Sequence, residues 1–236
     1  SRMVMSFNVT QIRKDFPMLS KTIHGKPLIY LDNAATTQKP WSVIERVRQF
    51  ESEEYGTVRR GAYKLCEDST RYYEETRQKV ADMLGAPTRN EIIFTSGTTQ
   101  SINLVAYSFS RQFINPGDEI VISNMEHHAN TVPWQVACEE RGAKLRVIPI
   151  NDNGELIMEE FEKLLSKKTR LVAVTHVSNA LGTINPVKEI AAKAHAAGAK
   201  VLIDGAQSTP HIKIDVKDIG CDFYTFSGHK MYGPSG

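Results

Sequence analysis

Leu171-Val172-Ala173-Val174, then a helical pattern from Val187 to Ala197 closed by Gly198, then Val201-Leu202-Ile203-Asp204: this stretch decides the fold. Both strand-like runs are apolar throughout and do not alternate, as expected of strands covered by helices on both faces. Glycine after the last periodic residue supplies a helix stop. Working outward, the same unit recurs. Further strands are predicted at Ile92-Ile93-Phe94, Ile120-Val121-Ile122, Leu145-Arg146-Val147-Ile148 and Phe223-Tyr224-Thr225-Phe226, with helices over Thr98 to Phe113, Asn130 to Arg141 and Met158 to Leu165. Alternation of this kind predicts an α/β fold with a mainly parallel sheet. The first ninety residues read differently, with a short strand Leu28-Ile29-Tyr30-Leu31 and helices from about Pro40 to Tyr55 and from Ser69 to Leu84. Residues 1–24 are expected to form an N-terminal arm and residues 25–236 one large domain, with no internal repeat or linker.

Composition narrows the function classes. The chain has 236 residues, 41% of them hydrophobic, enough to bury a sizeable core. Twenty-nine basic against twenty-seven acidic residues give a formal charge of +2 without a basic stripe, so nucleic acid is not an expected partner. Cys66, Cys138 and Cys221 are odd in number and far apart, which argues against a disulfide framework and a zinc site and points to the reduced cytoplasm. Ser1 to Met5 carry no signal-peptide core, and no apolar run is long enough to span a bilayer. The sequence stops at Gly236 with no closing helix, so a fragment of a longer protein is expected.

Five strand ends carry candidate chemistry. Thr95-Ser96-Gly97-Thr98-Thr99 lies where a strand gives way to a helix, and free N–H groups there attract an anion, with the hydroxyl of Thr98 or Thr99 as a further donor. A plain helix cap has the same pattern. Asp204-Gly205-Ala206-Gln207 puts a carboxylate at the end of a buried strand, where open α/β sheets bind ligands. A protonated pyridine nitrogen is one partner for it; a capping Asp is the alternative. Ser227-Gly228-His229-Lys230 places a lysine in a glycine-bracketed loop, where desolvation frees an amine for carbonyl chemistry, although most lysines are simply solvated. Glu126-His127-His128-Ala129-Asn130 offers His127 for stacking or acid–base work, with no further residues to complete a metal site. Thr175-His176-Val177-Ser178-Asn179 ends another strand and brings Asn179 toward the same edge. An anion-binding helix start, a strand-end Asp and a strand-end Lys together are the contacts a phosphorylated pyridine aldehyde needs.

These strings, with Leu31-Asp32-Asn33-Ala34-Ala35, His128-Ala129-Asn130-Thr131-Val132-Pro133-Trp134 and Lys230-Met231-Tyr232-Gly233-Pro234, resemble the aminotransferase class V family, and within it the SufS-type cysteine desulfurases and selenocysteine lyases. The resemblance runs from about Phe16 to Gly236. It implies a fold type I pyridoxal 5′-phosphate (PLP) enzyme, a seven-stranded-type sheet in the large domain, and a homodimer. Lys230 would hold the cofactor covalently and move the substrate α-proton, Asp204 would pair the pyridinium nitrogen, and Gln207 would bond the ring hydroxyl. His127 would stack on the ring, Asn179 would touch its oxygen edge, and Thr98, Thr99, Ser227 and His229 would hold the phosphate. Asn33 and Ala34 would lie near the substrate, L-cysteine or L-selenocysteine. Sulfur would leave as an enzyme persulfide for an acceptor of the SUF iron–sulfur system. Other class V chemistry, such as kynureninase-like cleavage, or a non-catalytic dimerisation or binding fragment would keep the same fold. Two departures stand out. Arg59 and Tyr63 replace histidines of many relatives, and the small domain with its nucleophilic cysteine and carboxylate-binding arginine is expected to be absent. The three cysteines match no such motif and read as packing thiols.

Overall fold

The computed structural model describes residues 7–235, which divide into two compact units, one of residues 75–227 and one of residues 7–74 with 228–235. The larger unit contains α4 (Thr98–Phe113), β3 (Glu119–Ser123), α5 (Val132–Arg141), β4 (Lys144–Ile148), α6 (Met158–Leu164), β5 (Thr169–Thr175), α7 (Val187–Ala196), β6 (Lys200–Asp204), α8 (Val216–Ile219) and β7 (Phe223–Thr225). The smaller contains α1 (Val9–Arg13), β1 (Thr22–Ile23), β2 (Lys26–Pro27), α2 (Trp41–Gln49) and the first part of α3 (Lys64–Leu84).

In the larger unit the strands form one parallel sheet in the order β4-β3-β5-β6-β7. The apolar runs are divided between its two faces. Val121, Val172, Val174, Val201 and Ile203 pack in one cluster with Ile190, Ala191 and Ala194 of α7 and Phe161 of α6. Ile120, Ile122, Leu171, Ala173 and Leu202 pack in the other with Ile102, Ala106 and Phe109 of α4 and Trp134 of α5. Each buried Val, Leu or Ile is worth about 1.5–3 kcal/mol, so β-branched residues at successive positions pin a strand on both faces at once. Parallel pairing brings all the carboxyl ends to one edge, with Thr175, Asp204 and Thr225 in register.

Three expectations about strands are corrected. The sheet has five strands among the described residues, not the seven-stranded type, and Ile92-Ile93-Phe94 belongs to none of them. A groove of about 340 Å³ lined by Ile92, Ile93 and Thr95 on one side and Phe223 to Thr225 on the other separates that segment from β7. A strand needs a ladder partner, and local composition cannot supply one. In the smaller unit Leu28 to Leu31 likewise forms no assigned strand, although the Leu28 N–H donates to the Lys21 carbonyl at 2.9 Å, and Ile29 and Leu31 are exposed. The hairpin lies just before it, Thr22–Ile23 against Lys26–Pro27, turned by His24 and Gly25 at φ 52° and 73°. No helix of the described residues is long and apolar enough to cross a membrane.

Candidate active site

The carboxyl edge of the larger unit gathers several of the predicted residues. Helix α4 begins at Gly97, whose φ of 142° favours glycine and which offers no capping side chain. A Cβ there would stand 3.2 Å from Ser227 Oγ. The Thr98 N–H donates to Ser227 Oγ at 2.9 Å, and the Ser227 hydroxyl donates to Thr98 Oγ1 at 3.0 Å, so residues 129 apart in sequence are tied at the helix start. Both are buried, whereas Thr99, the next residue, is exposed and lines a cavity of about 490 Å³ together with His127 and His128.

His127 begins a single helical turn over His128–Asn130 and is exposed. Its Nδ1 accepts the Ala129 N–H at 3.1 Å, which in the neutral ring leaves the proton on Nε2. Behind it lies a buried network that motif reading passed over. The Glu126 carboxyl accepts the Ser123 hydroxyl and the Asn130 Nδ2–H at 2.7 Å, and Asn130 Oδ1 accepts the indole N–H of fully buried Trp134 at 2.8 Å. Burial, helped by the charge of Asp204, pushes the Glu126 pKa up to about 8. A charged residue three places after an all-buried strand was the available signal.

Asp204 is buried at the end of β6, and its Oδ1 accepts the Ala206 N–H at 3.0 Å. Gln207 is buried in the turn that follows. A Cβ on Gly205 would overlap the Tyr224 ring, whose hydroxyl is fixed by His176 Nδ1 at 2.9 Å and Ser208 Oγ at 2.5 Å. Burial lowers the His176 pKa and raises that of Tyr224, so both sit neutral behind the strand end. Asn179 lies exposed in the turn after β5, where the Ser178 hydroxyl accepts the N–H groups of Ala180 and Leu181.

The smaller unit carries the remaining predicted residues. Lys230 closes a 3₁₀ turn, Gly228–Lys230. The His229 carbonyl accepts the Thr37 N–H at 2.9 Å and the hydroxyls of Thr36 and Thr37 at 3.1 Å each, while His229 Nδ1 meets Thr36 Oγ1 at 3.0 Å. Thr37 Oγ1 also accepts the Tyr232 N–H at 2.8 Å. Asn33 and Ala34 are exposed on the turn just before these threonines. Burial, with Lys230 and Lys39 nearby, lowers the His229 pKa, so the ring is neutral. Thr36 and Thr37 were not foreseen, since nothing local links them to a turn 193 residues away.

Arg59, with φ 77°, pairs with Glu74 and lies over the Tyr73 ring at 5.4 Å; Tyr63 is exposed. The thiols are packed away. Cys66 accepts the Gly61 N–H at 3.1 Å, and burial pushes the Cys138 and Cys221 pKa values up to about 11 and about 12.

A parallel sheet with polar residues converging at its carboxyl edge agrees with what the comparisons find. Residues 29–236 match the family profile described as aminotransferase class-V. The chain belongs to that family. A cysteine desulfurase of Dickeya dadantii is 53% identical over 233 residues, which cover 99% of this chain and 57% of the relative. Among solved structures, the apo cysteine desulfurase of Thermococcus onnurineus NA1 matches with a TM-score of 0.90 at 40% identity, over 98% of this chain and 56% of that one. SspA, solved in complex with cysteine, matches with a TM-score of 0.82 at 28% identity over 89% and 59%. The chain thus spans a little over half the length of these relatives.

Proposed function

We propose that residues 25–236, behind an arm of residues 1–24, are the PLP-binding large domain of a SufS-type cysteine desulfurase that converts L-cysteine to L-alanine. The observation that carries this reading is the buried pairing of Thr98 with Ser227 at the start of α4, on the same sheet edge as the buried carboxylate Asp204. The donor set fits the cofactor. A glycine-capped sixteen-residue helix leaves first-turn N–H groups for a phosphate, and a buried strand-end carboxylate suits a cationic ring nitrogen.

When bound, PLP supplies an electron sink for the pair left on the substrate α-carbon. The chain's residues bind and orient it. Thr98, Thr99, Ser227 and His229 would hold the phosphate, Asp204 would pair the ring nitrogen, Gln207 and Asn179 would contact the ring oxygen, and His127 would stack on the ring. Lys230, three residues beyond Ser227, would hold the cofactor through its Nζ and would move the substrate α-proton. Asn33 and Ala34 face the substrate. The substrate C–S bond breaks, a proton goes to its β-carbon to give alanine, and the sulfur passes to an enzyme thiol as a persulfide. That thiol is none of Cys66, Cys138 and Cys221: Cys66 is sealed in the core, and burial raises the pKa of Cys138 and Cys221, so none readily supplies an accessible thiolate. The enzyme acts as a cytoplasmic homodimer and hands the sulfur to an acceptor of the SUF iron–sulfur system.

The test is borohydride reduction of the PLP-loaded complete protein followed by peptide mapping. The pyridoxyl group is expected on Lys230, and a label on any other lysine would overturn the assignment. Alanine and sulfide release from L-cysteine, measured against alanine and selenide release from L-selenocysteine, distinguishes the desulfurase from the lyase.

A further inference from the structure

Glu126 has no task in the reaction just described, yet it stands at the junction of three strand ends. Its carboxyl takes hydrogen bonds from Ser123 at the end of β3, from Asn130 on the His127 turn and from the backbone of Thr175 at the end of β5. Asp204, at the end of β6, is close enough to act on it electrostatically. Two carboxylates in a buried cluster do not both ionise cheaply. One of them keeps its proton.

Resting on the PLP reading, we propose that Glu126 is a positioning residue that holds its proton at neutral pH. Its neutral carboxyl pins the His127 turn to the strand ends and leaves Asp204 as the negative charge available to a cationic ring nitrogen. The geometry makes each part specific. Glu126 immediately precedes His127, and its carboxyl holds Asn130, which ends the turn that the His127 ring caps at its start. Asn130 is in turn locked by Trp134, which has no room to move in the core.

The groups around Glu126 decide which carboxyl gives way. From its own turn His127 and His128 adjoin it; from β3 and β5 the facing groups, Ser123 and Thr175, do not titrate; from β6 comes Asp204, with Tyr224 of β7 beyond it and kept protonated mainly by burial. Burial is the largest cause and outweighs the hydrogen bonds from Ser123, Asn130 and Thr175, which favour the ionised form; Asp204 adds the smallest push in the same direction as burial, and the Glu126 proton's release falls near pH 8. The sign follows. A carboxyl whose pKa is raised on folding binds its proton more tightly folded than unfolded, so its contribution to stability is full below pH 4.5 and is lost as pH rises through about 8.

The experiment has two arms on the complete protein. In the apo form, infrared spectra of wild type minus E126Q are expected to show the carbonyl stretch of a protonated carboxylic acid at pH 7, fading as pH rises through about 8. No such band at pH 7 would overturn the proposal. In the PLP-loaded form, visible circular dichroism reports the orientation of the bound ring. E126L is expected to lose roughly half or more of that signal, with kcat falling more than KM rises, and E126Q, whose amide matches the neutral acid in shape and donors, is expected to restore it. Should E126L not fold, E126D, one methylene shorter, carries the same expectation. A wild-type signal in the Leu or Asp variant would overturn the positioning role. Wild type that takes up no PLP would sink the cofactor reading instead, and the infrared arm alone would then support or overturn the protonated Glu126.

Discussion

The strand-end cluster of the larger unit and the lysine turn of the smaller one are held in different ways. Asp204 sits where β6 leaves the core, in register with Thr175 and Thr225, and its position is set by strands buried on both faces. The turn Gly228–Lys230 of the smaller unit is held by the hydrogen bonds of Thr36 and Thr37 to His229 and Tyr232. The first is positioned by apolar packing on both faces of the sheet, the second by hydrogen bonds. A binding group that must not move belongs on the sheet, and a lysine that must change partners belongs on a tether.

The sharpest way to break this contrast is at the rigid end. Replacing Asp204 by Asn keeps the shape and removes the charge, and is expected to cost a factor of about a hundred or more in alanine production, on the order of 3 kcal/mol. Near wild-type turnover in the complete protein would show that the buried carboxylate is only a cap. One residue further on, G205A drives a methyl into a Tyr224 ring already fixed by His176 and Ser208. The expected loss is about 2 kcal/mol of stability, read as a lowered thermal midpoint; an unchanged midpoint would mean that this edge yields as easily as a loop. On the tethered side, T37V removes one hydroxyl that donates to His229 and accepts from Tyr232. About 1 kcal/mol is expected there, seen as faster loss of bound PLP on dilution with little change in the thermal midpoint. A collapse of the midpoint as large as that of G205A would erase the distinction between the two regions.

Sequence patterns revealed one of these regions far better than the other. Runs such as Val201-Leu202-Ile203 and Leu171 to Val174 are apolar at every position because both faces are covered, so β5 and β6 and the carboxylate after them could be read directly. Thr98 and Ser227 were each found at a strand or helix end, but their pairing across 129 residues is a product of sheet order. Ile92 to Phe94 has strand composition but joins no strand of the sheet, and composition does not encode sheet neighbours. Thr36, Thr37 and Glu126 escaped for the same reason: each acts through a partner fixed by tertiary structure, and a lone threonine or glutamate looks solvated in sequence.

The indole of Trp134 gives the molecule a built-in optical gauge. Two tryptophans are present; Trp41 is more than half exposed, while Trp134 is sealed in the core with its N–H committed to Asn130. A water-borne quencher therefore silences Trp41 and spares Trp134, and the emission that remains comes from a fluorophore wired through one amide to the carboxyl of Glu126. Whatever disturbs that carboxyl, whether a proton lost or a ring arriving above it, is reported as a change of colour from inside the protein, with no label attached.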